Sequence, residues 1–268
     1  MSERQRTESR NPKARGLASF TTRQILELVN DEDATVPVTV RAALPAIASA
    51  VDAIVEAFGA GHRLRYIGAG TSGRLGVLDA SEAPPTFGVA EDLVRGFIAG
   101  GDAALRQSIE GAEDDSGAGA RVAREHVRAG DVLVGISASG RAKYVTAAMV
   151  MAREIGARTV ALTCDPSSPL AKDADIAIAV DVGPEVLAGS SRLKAGTATK
   201  LVLNMLSTAA MIRSGRTRGD LMIDLRPTNA KLRERAIRMV RDETGLSEDE
   251  ARARLEAADW SVRKALER

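Results

Sequence analysis

Between residues 64 and 180 the apolar positions fall into short continuous runs separated by longer stretches of helical period. The runs cover 64–67, 94–99, 132–136, 159–163 and 176–180. Each is closed by a turn signal: Gly68, Gly100-Gly101, residues 137–140, Asp165-Pro166 and Gly183-Pro184. Short apolar runs alternating with helices predict an α/β fold, a parallel five-stranded sheet with helices on both faces.

Ahead of the first run, Thr21 or Thr22 can cap a helix carrying Ile25, Leu26, Leu28 and Val29, with the acidic Asp31-Glu32-Asp33 at its end. A longer helix is expected next, its stripe running through Val40, Leu44, Ile47, Val51, Ile54, Val55 and Phe58 to the stop signals Gly59 and Gly61. Residues up to about 17 are charged and lack apolar period, which predicts a mobile arm or a segment ordered only by contact. Residues 194–214 are apolar almost all round and should form a central helix or lie at a subunit contact, with Asn204 in a buried hydrogen-bond network. After Gly219 the pattern changes to three short helical segments, 231–240, 247–257 and 260–266, with Ser247 and Glu250 as a capping box. The chain therefore divides into a main domain over 1–220 and a small C-terminal helical unit over 221–268, too small to bury much by itself.

Composition narrows the function. With 37 Lys and Arg against 36 Asp and Glu, the net charge of +1 gives no field drawing the chain to nucleic acid or an anionic membrane. A small molecule is the expected partner. A single cysteine, Cys164, excludes an internal disulfide framework, and His62 and His126 supply too little for a histidine metal site, so no metal or other cofactor is expected. The first six residues are polar with no apolar segment behind them, so no secretory leader is expected and a reducing cytoplasm fits best. Residues 201–212 are too short and too polar for a membrane span.

Two turns carry the candidate chemistry. Gly68-Ala69-Gly70-Thr71-Ser72-Gly73 follows the first run, and Ser137-Ala138-Ser139-Gly140 follows the third. Hydroxyl-rich turns that end strands and open helices present N–H and O–H donors to an anion such as a phosphate. Gly70, Thr71, Ser72, Ser137, Ser139 and Gly140 are the candidates. Gly68-x-Gly70-x-x-Gly73 also matches the dinucleotide fingerprint, but the second run ends Ala99-Gly100-Gly101, without the acidic residue that fingerprint requires. Ser190, Ser191 and Lys194 open the apolar helix and either anchor an anion or cap it. Glu82 precedes the Pro84-Pro85 pair expected to end its helix, and Glu113 lies in an acidic stretch broken by Gly111. Both read either as solvated charges or as an acid/base pair.

Together these segments resemble the N-acetylmuramic acid 6-phosphate etherases over nearly the whole chain. The resemblance rests on Thr7-Glu8-Ser9-Arg10-Asn11-Pro12, residues 68–82, Ile98-Ala99-Gly100-Gly101, Glu110-Gly111-Ala112-Glu113-Asp114 and residues 189–208. It implies a sugar isomerase (SIS) fold, a homodimer that helps form the active site, and a phosphorylated amino-sugar substrate whose D-lactyl ether is cleaved. It also places the family's proton donor on Glu82 and its second active-site residue on Glu113. One departure stands out: where SIS phosphate loops often carry a threonine, this chain has Ala142. A non-catalytic sensor similar to the glucokinase regulatory protein, or an aldose–ketose isomerase, would keep the phosphate turns but would not release lactate.

Overall fold

The computed structural model describes residues 8–225, 227 and 229–267. Thr7 of the N-terminal motif and the polar residues before it lie outside the described residues. The apolar runs form β1 (Leu64–Gly68), β2 (Val94–Ile98), β3 (Val132–Ile136), β4 (Arg158–Thr163) and β5 (Ile176–Ala179), all parallel, in the order β2-β1-β3-β4-β5. β1 and β3 are buried at every residue. A strand covered on both faces is apolar on both, so these segments lack an alternating pattern; the one charged residue in them, Arg65 of β1, is buried with its guanidinium bonded to the His126 and Asp92 carbonyls and to Asp92 Oδ1.

On one face lie α2 (Val36–Ala42), α3 (Leu44–Gly59), α4 (Gly70–Phe87) and α8 (Lys194–Arg213), packed on Tyr66, Val134, Ile136 and Val160. On the other lie α5 (Ser116–His126), α6 (Lys143–Ile155) and α7 (Pro169–Asp173), packed on Ile67, Leu133 and Ala161. Successive strand residues thus face opposite cores, as the pleat requires.

Three expectations are corrected. The long helix after α1 (Thr22–Asp33) is two helices meeting at Ala43, and the α1–α2 unit and α3 bend by 61°. Pro45 lies in the first turn of α3; its ring would clash with the carbonyl four residues back in a continuous helix. Next, the Pro84-Pro85 pair does not end α4, which runs on to Phe87 and stops at Gly88 with φ 63°. Both prolines sit in the last turns and each gives up its own N–H bond to the carbonyl four residues back, but the helix needs to continue only to Phe87 before Gly88 ends it. The residue held next to the proline is Ala83, and Glu82 stays helical. Finally, Asn204 is exposed and accepts a hydrogen bond from Lys200; the buried polar network of α8 belongs to Ser207, whose Oγ is 3.1 Å from Asp79 Oδ1, with Tyr66 Oη 3.0 Å from Asp79 Oδ2.

Residues 8–20 are ordered by polar contacts. Asn11 is buried and donates to Glu32 Oε2 at 2.8 Å and to the Pro184 carbonyl at 3.3 Å, while Lys13 Nζ pairs with Glu32 Oε1 at 2.9 Å. After α8, the helices α9 (Ala230–Thr244), α10 (Glu248–Glu256) and α11 (Val262–Leu266) close around a small core of their own that includes Ile223, Leu225, Ile237, Val240 and Leu255. Arg263 ties this unit down, with a two-pronged pair to Asp224 at 2.7 Å and a bond to the Gly215 carbonyl. No single helix among the described residues is long and apolar enough to cross a membrane.

Candidate active site

Because β1 and β3 are neighbours and send their helices to opposite faces, their carboxyl ends open into a crevice, the position where sheets of this kind bind ligands. The crevice is a cleft of about 280 Å³, and Gly70, Thr71, Ser72, Ser137, Ser139, Ala142, Ser191 and Glu113 all line it. Both hydroxyl-rich turns therefore line one cleft. Its neck is tight: a Cβ on Gly68 would lie 2.6 Å from the Gly73 backbone nitrogen, so the end of β1 and the first turn of α4 meet only as glycines.

The way the helices begin indicates what the cleft binds. α1, α5, α7, α9, α10 and α11 each have a side chain capping their first N–H groups. The residues at the cap positions of α4 and α6 are Ala69 and Ala142, which cannot cap; α2 and α3 also start without a side-chain cap, but away from the cleft. Both alanines line the cleft, so the open N–H groups and positive ends of two helices meet there. Ala142, lacking a hydroxyl, leaves the first turn of α6 without a side-chain cap. Among the described residues no lysine or arginine lines the cleft. An anion there must rest on N–H groups, hydroxyls and helix ends.

The start of α8 is different. Glu185, buried beneath it, accepts the N–H groups of Lys194 at 3.0 Å and Ala195 at 2.9 Å. Burial raises the pKa of Glu185, and those two N–H bonds oppose the rise. An internal carboxylate therefore already occupies the place that the sequence offered to a ligand. Lys194 is likewise buried, its Nζ 2.6 Å from Glu32 Oε2, and does not line the cleft. Ser190 does not line it either, and Gly140 shapes the turn, with φ 64° and Ser168 packed where a side chain would go.

The two glutamates are not brought together within one chain. Glu113 sits on a single turn, residues 112–114, at the cleft edge, where a second hollow of about 240 Å³ continues past it. Arg74 fixes that region by donating to the carbonyls of Leu105 at 3.2 Å and Gln107 at 3.1 Å. Glu82 is exposed on α4, twelve residues beyond Gly70, which is about 18 Å along the axis at 1.5 Å per residue. It does not line the cleft.

Comparison with known proteins decides the family. Residues 46–153 match the glucokinase regulatory protein N-terminal SIS domain, and residues 116–209 match the SIS domain. The chain is 54% identical over 261 residues to the N-acetylmuramic acid 6-phosphate etherase of Jannaschia sp. (strain CCS1), covering 97% of this chain and 83% of that one. It is 51% identical over 261 residues to the etherase of Yersinia pestis (strain Pestoides F), covering 97% and 88%. The chain belongs to the N-acetylmuramic acid 6-phosphate etherase family. In fold it is similar to a phosphoheptose isomerase from Neisseria gonorrhoeae, with TM-score 0.54 and 19% identity over 71% of this chain and 98% of that one. It is also similar to a phosphoheptose isomerase from Francisella tularensis, with TM-score 0.53 and 20% identity over 71% and 98%.

For an etherase-family chain, three carboxylates matter that the sequence pattern did not mark. Glu8 lines the cleft, Glu185 holds the start of α8, and Glu32 joins the N-terminal segment to α8 through Asn11, Lys13 and Lys194. Glu8 stands in the Thr7-to-Pro12 motif, which carries no periodicity to give it a place. Glu32 reads as one of three acidic residues closing α1.

Proposed function

We propose that this chain cleaves the D-lactyl ether of N-acetylmuramic acid 6-phosphate, giving N-acetylglucosamine 6-phosphate and D-lactate, as a cytoplasmic homodimer that recycles amino sugars. The observation that carries this reading is one cleft, in a chain of this family, where two uncapped helix starts and five hydroxyl side chains surround a space that Glu113 borders. The phosphate occupies the donors. In the open-chain sugar, C2 lies α to the aldehyde and the lactyl ether is on C3. Glu113 takes the C2 proton, the C3–O bond breaks, Glu82 protonates the leaving lactate oxygen, and water adds to C3 of the unsaturated aldehyde while C2 regains a proton. One base and one acid suffice for these steps.

Glu82 reaches this cleft from a second copy of the chain. Its exposure on α4, the exposed apolar residues Val38, Leu78 and Ile212 on the same layer of helices, and the distance along α4 all support that reading. Glu82→Gln and Glu113→Gln should each cut lactate release by about 10²–10⁴. Mixed in equal amounts and allowed to exchange subunits, the two inactive proteins should recover about a quarter of wild-type activity, because each hybrid dimer regains one complete site. A D-lactate assay on the mixture decides: no recovery returns both glutamates to a single chain, and full activity in either single variant removes that residue from the mechanism.

A further inference from the structure

Every other polar group lining the cleft besides Glu113 is a hydroxyl or a backbone group, and Glu8 stands among them as a second carboxylate. Glu8 is exposed to the cleft, and the backbone that carries it is tied down a few residues on. Three residues on, Asn11 is buried and bonded to Glu32 and to the Pro184 carbonyl, and Lys13 is paired with Glu32, so the segment cannot swing away without breaking three polar contacts. Across from it is Gly189, with φ 78°, where an added Cβ would lie 2.9 Å from Glu8 Oε2. Among the described residues Glu8 has no hydrogen-bond or ion-pair partner.

A carboxylate accepts hydrogen bonds and repels anions, so it cannot itself hold a phosphate. Its natural partner is an O–H beside the phosphate. We infer that Glu8 is a substrate-binding carboxylate, which accepts a hydrogen bond from a hydroxyl on the sugar carbon chain next to the phosphate and so makes the cleft select sugar phosphates over bare phosphate. This rests on the sugar-phosphate reading of the cleft. The donors at the helix starts attract any small anion, and Glu8 opposes that attraction unless the anion brings a hydroxyl to meet it. The N-terminal segment thus acts as a specificity element delivered to the sheet by the Glu32 contacts.

Isothermal titration of the full chain with N-acetylglucosamine 6-phosphate and, separately, with inorganic phosphate tests the inference. Glu8→Ala should weaken the sugar phosphate about 10- to 100-fold, the range for a hydrogen bond to a charged group, while inorganic phosphate binds as well as to wild type or more tightly. Glu8→Gln, which keeps an acceptor but loses the charge, should fall between. Thermal unfolding of both variants should match wild type, since no contact within the chain is lost. The inference is overturned if both ligands weaken together, if neither changes, or if the wild-type chain binds the two equally. Lactate release by the wild type is read separately: its absence would remove the etherase reaction, while the ratio of the two affinities would still decide the role of Glu8.

Discussion

Glu32 illustrates how one residue joins distant parts of the chain. Its carboxylate, 5% exposed, meets Lys194 at 2.6 Å, Lys13 at 2.9 Å and Asn11 at 2.8 Å. Burial pushes its pKa up, but the hydrogen bonds from Lys13 and Lys194 and the Lys194 charge outweigh that and bring it down from 4.5 to about 2. A folded-state pKa below the unfolded one means the group stabilises the fold above about pH 4.5 and loses that contribution as pH falls towards 2, on the order of 3 kcal/mol in all. Glu32→Gln leaves the Lys194 ammonium buried without its counter-charge and should cost about 3–5 kcal/mol at neutral pH. Urea unfolding of both proteins between pH 7 and pH 2 checks the sign: the gap between them should narrow as pH drops. A gap that stayed constant would show that the carboxylate charge is not what stabilises this junction.

At the scale of elements, the starts of α4 and α6 go without a side-chain cap, which in the proposed function leaves their N–H groups to the phosphate. Ala69 has φ −120° and ψ 151°, the backbone of an ordinary N-cap, yet has no side chain to cap with. Ala69→Asp should stabilise the protein by about 0.5–2 kcal/mol by satisfying the first N–H groups of α4. The same carboxylate would sit in the anion site, so inorganic phosphate and sugar phosphates should bind far more weakly. Thermal unfolding together with phosphate titration measures both effects; a variant that is stabilised and still binds phosphate would show that the α4 start is not part of the anion site. Both phosphate turns were legible in the sequence because a strand buried on both faces is an unbroken apolar run, and its end is marked by the glycines and serines that follow. The break at Ala43 was not, because the apolar stripe continues through it while Pro45 redirects the backbone. The α8 start misled for a related reason. Ser190-Ser191-Arg192-Leu193-Lys194 has the composition of an anion site, but its counter-charges, Glu185 and Glu32, come from other segments, and Glu32 is 162 residues away from Lys194. A charged residue read in isolation is assigned to solvent, and only the fold pairs it.

For the whole molecule, the lining of the proposed phosphate cleft comes from one chain, and Glu82, the proposed acid, is not part of it. Thr71, Ser72, Ser137, Ser139 and both open helix starts lie at the carboxyl ends of two neighbouring strands of one sheet, so a monomer should still bind phosphate. Glu82 faces outward one turn beyond Leu78, which is 44% exposed on the same helix. If a second copy covers this part of α4, Leu78→Arg places a charge in that contact, where burial without a partner is costly, but leaves it in water in the isolated chain. The expected protein is a folded monomer that binds inorganic phosphate like wild type and releases almost no D-lactate. Light scattering gives the mass, titration gives the phosphate affinity, and the lactate assay gives the activity, all at one protein concentration. Loss of phosphate binding would mean the cleft itself needs the second copy. A fully active monomer would place Glu82 outside the reaction, and a variant that stayed dimeric would move the contact off this stretch of α4.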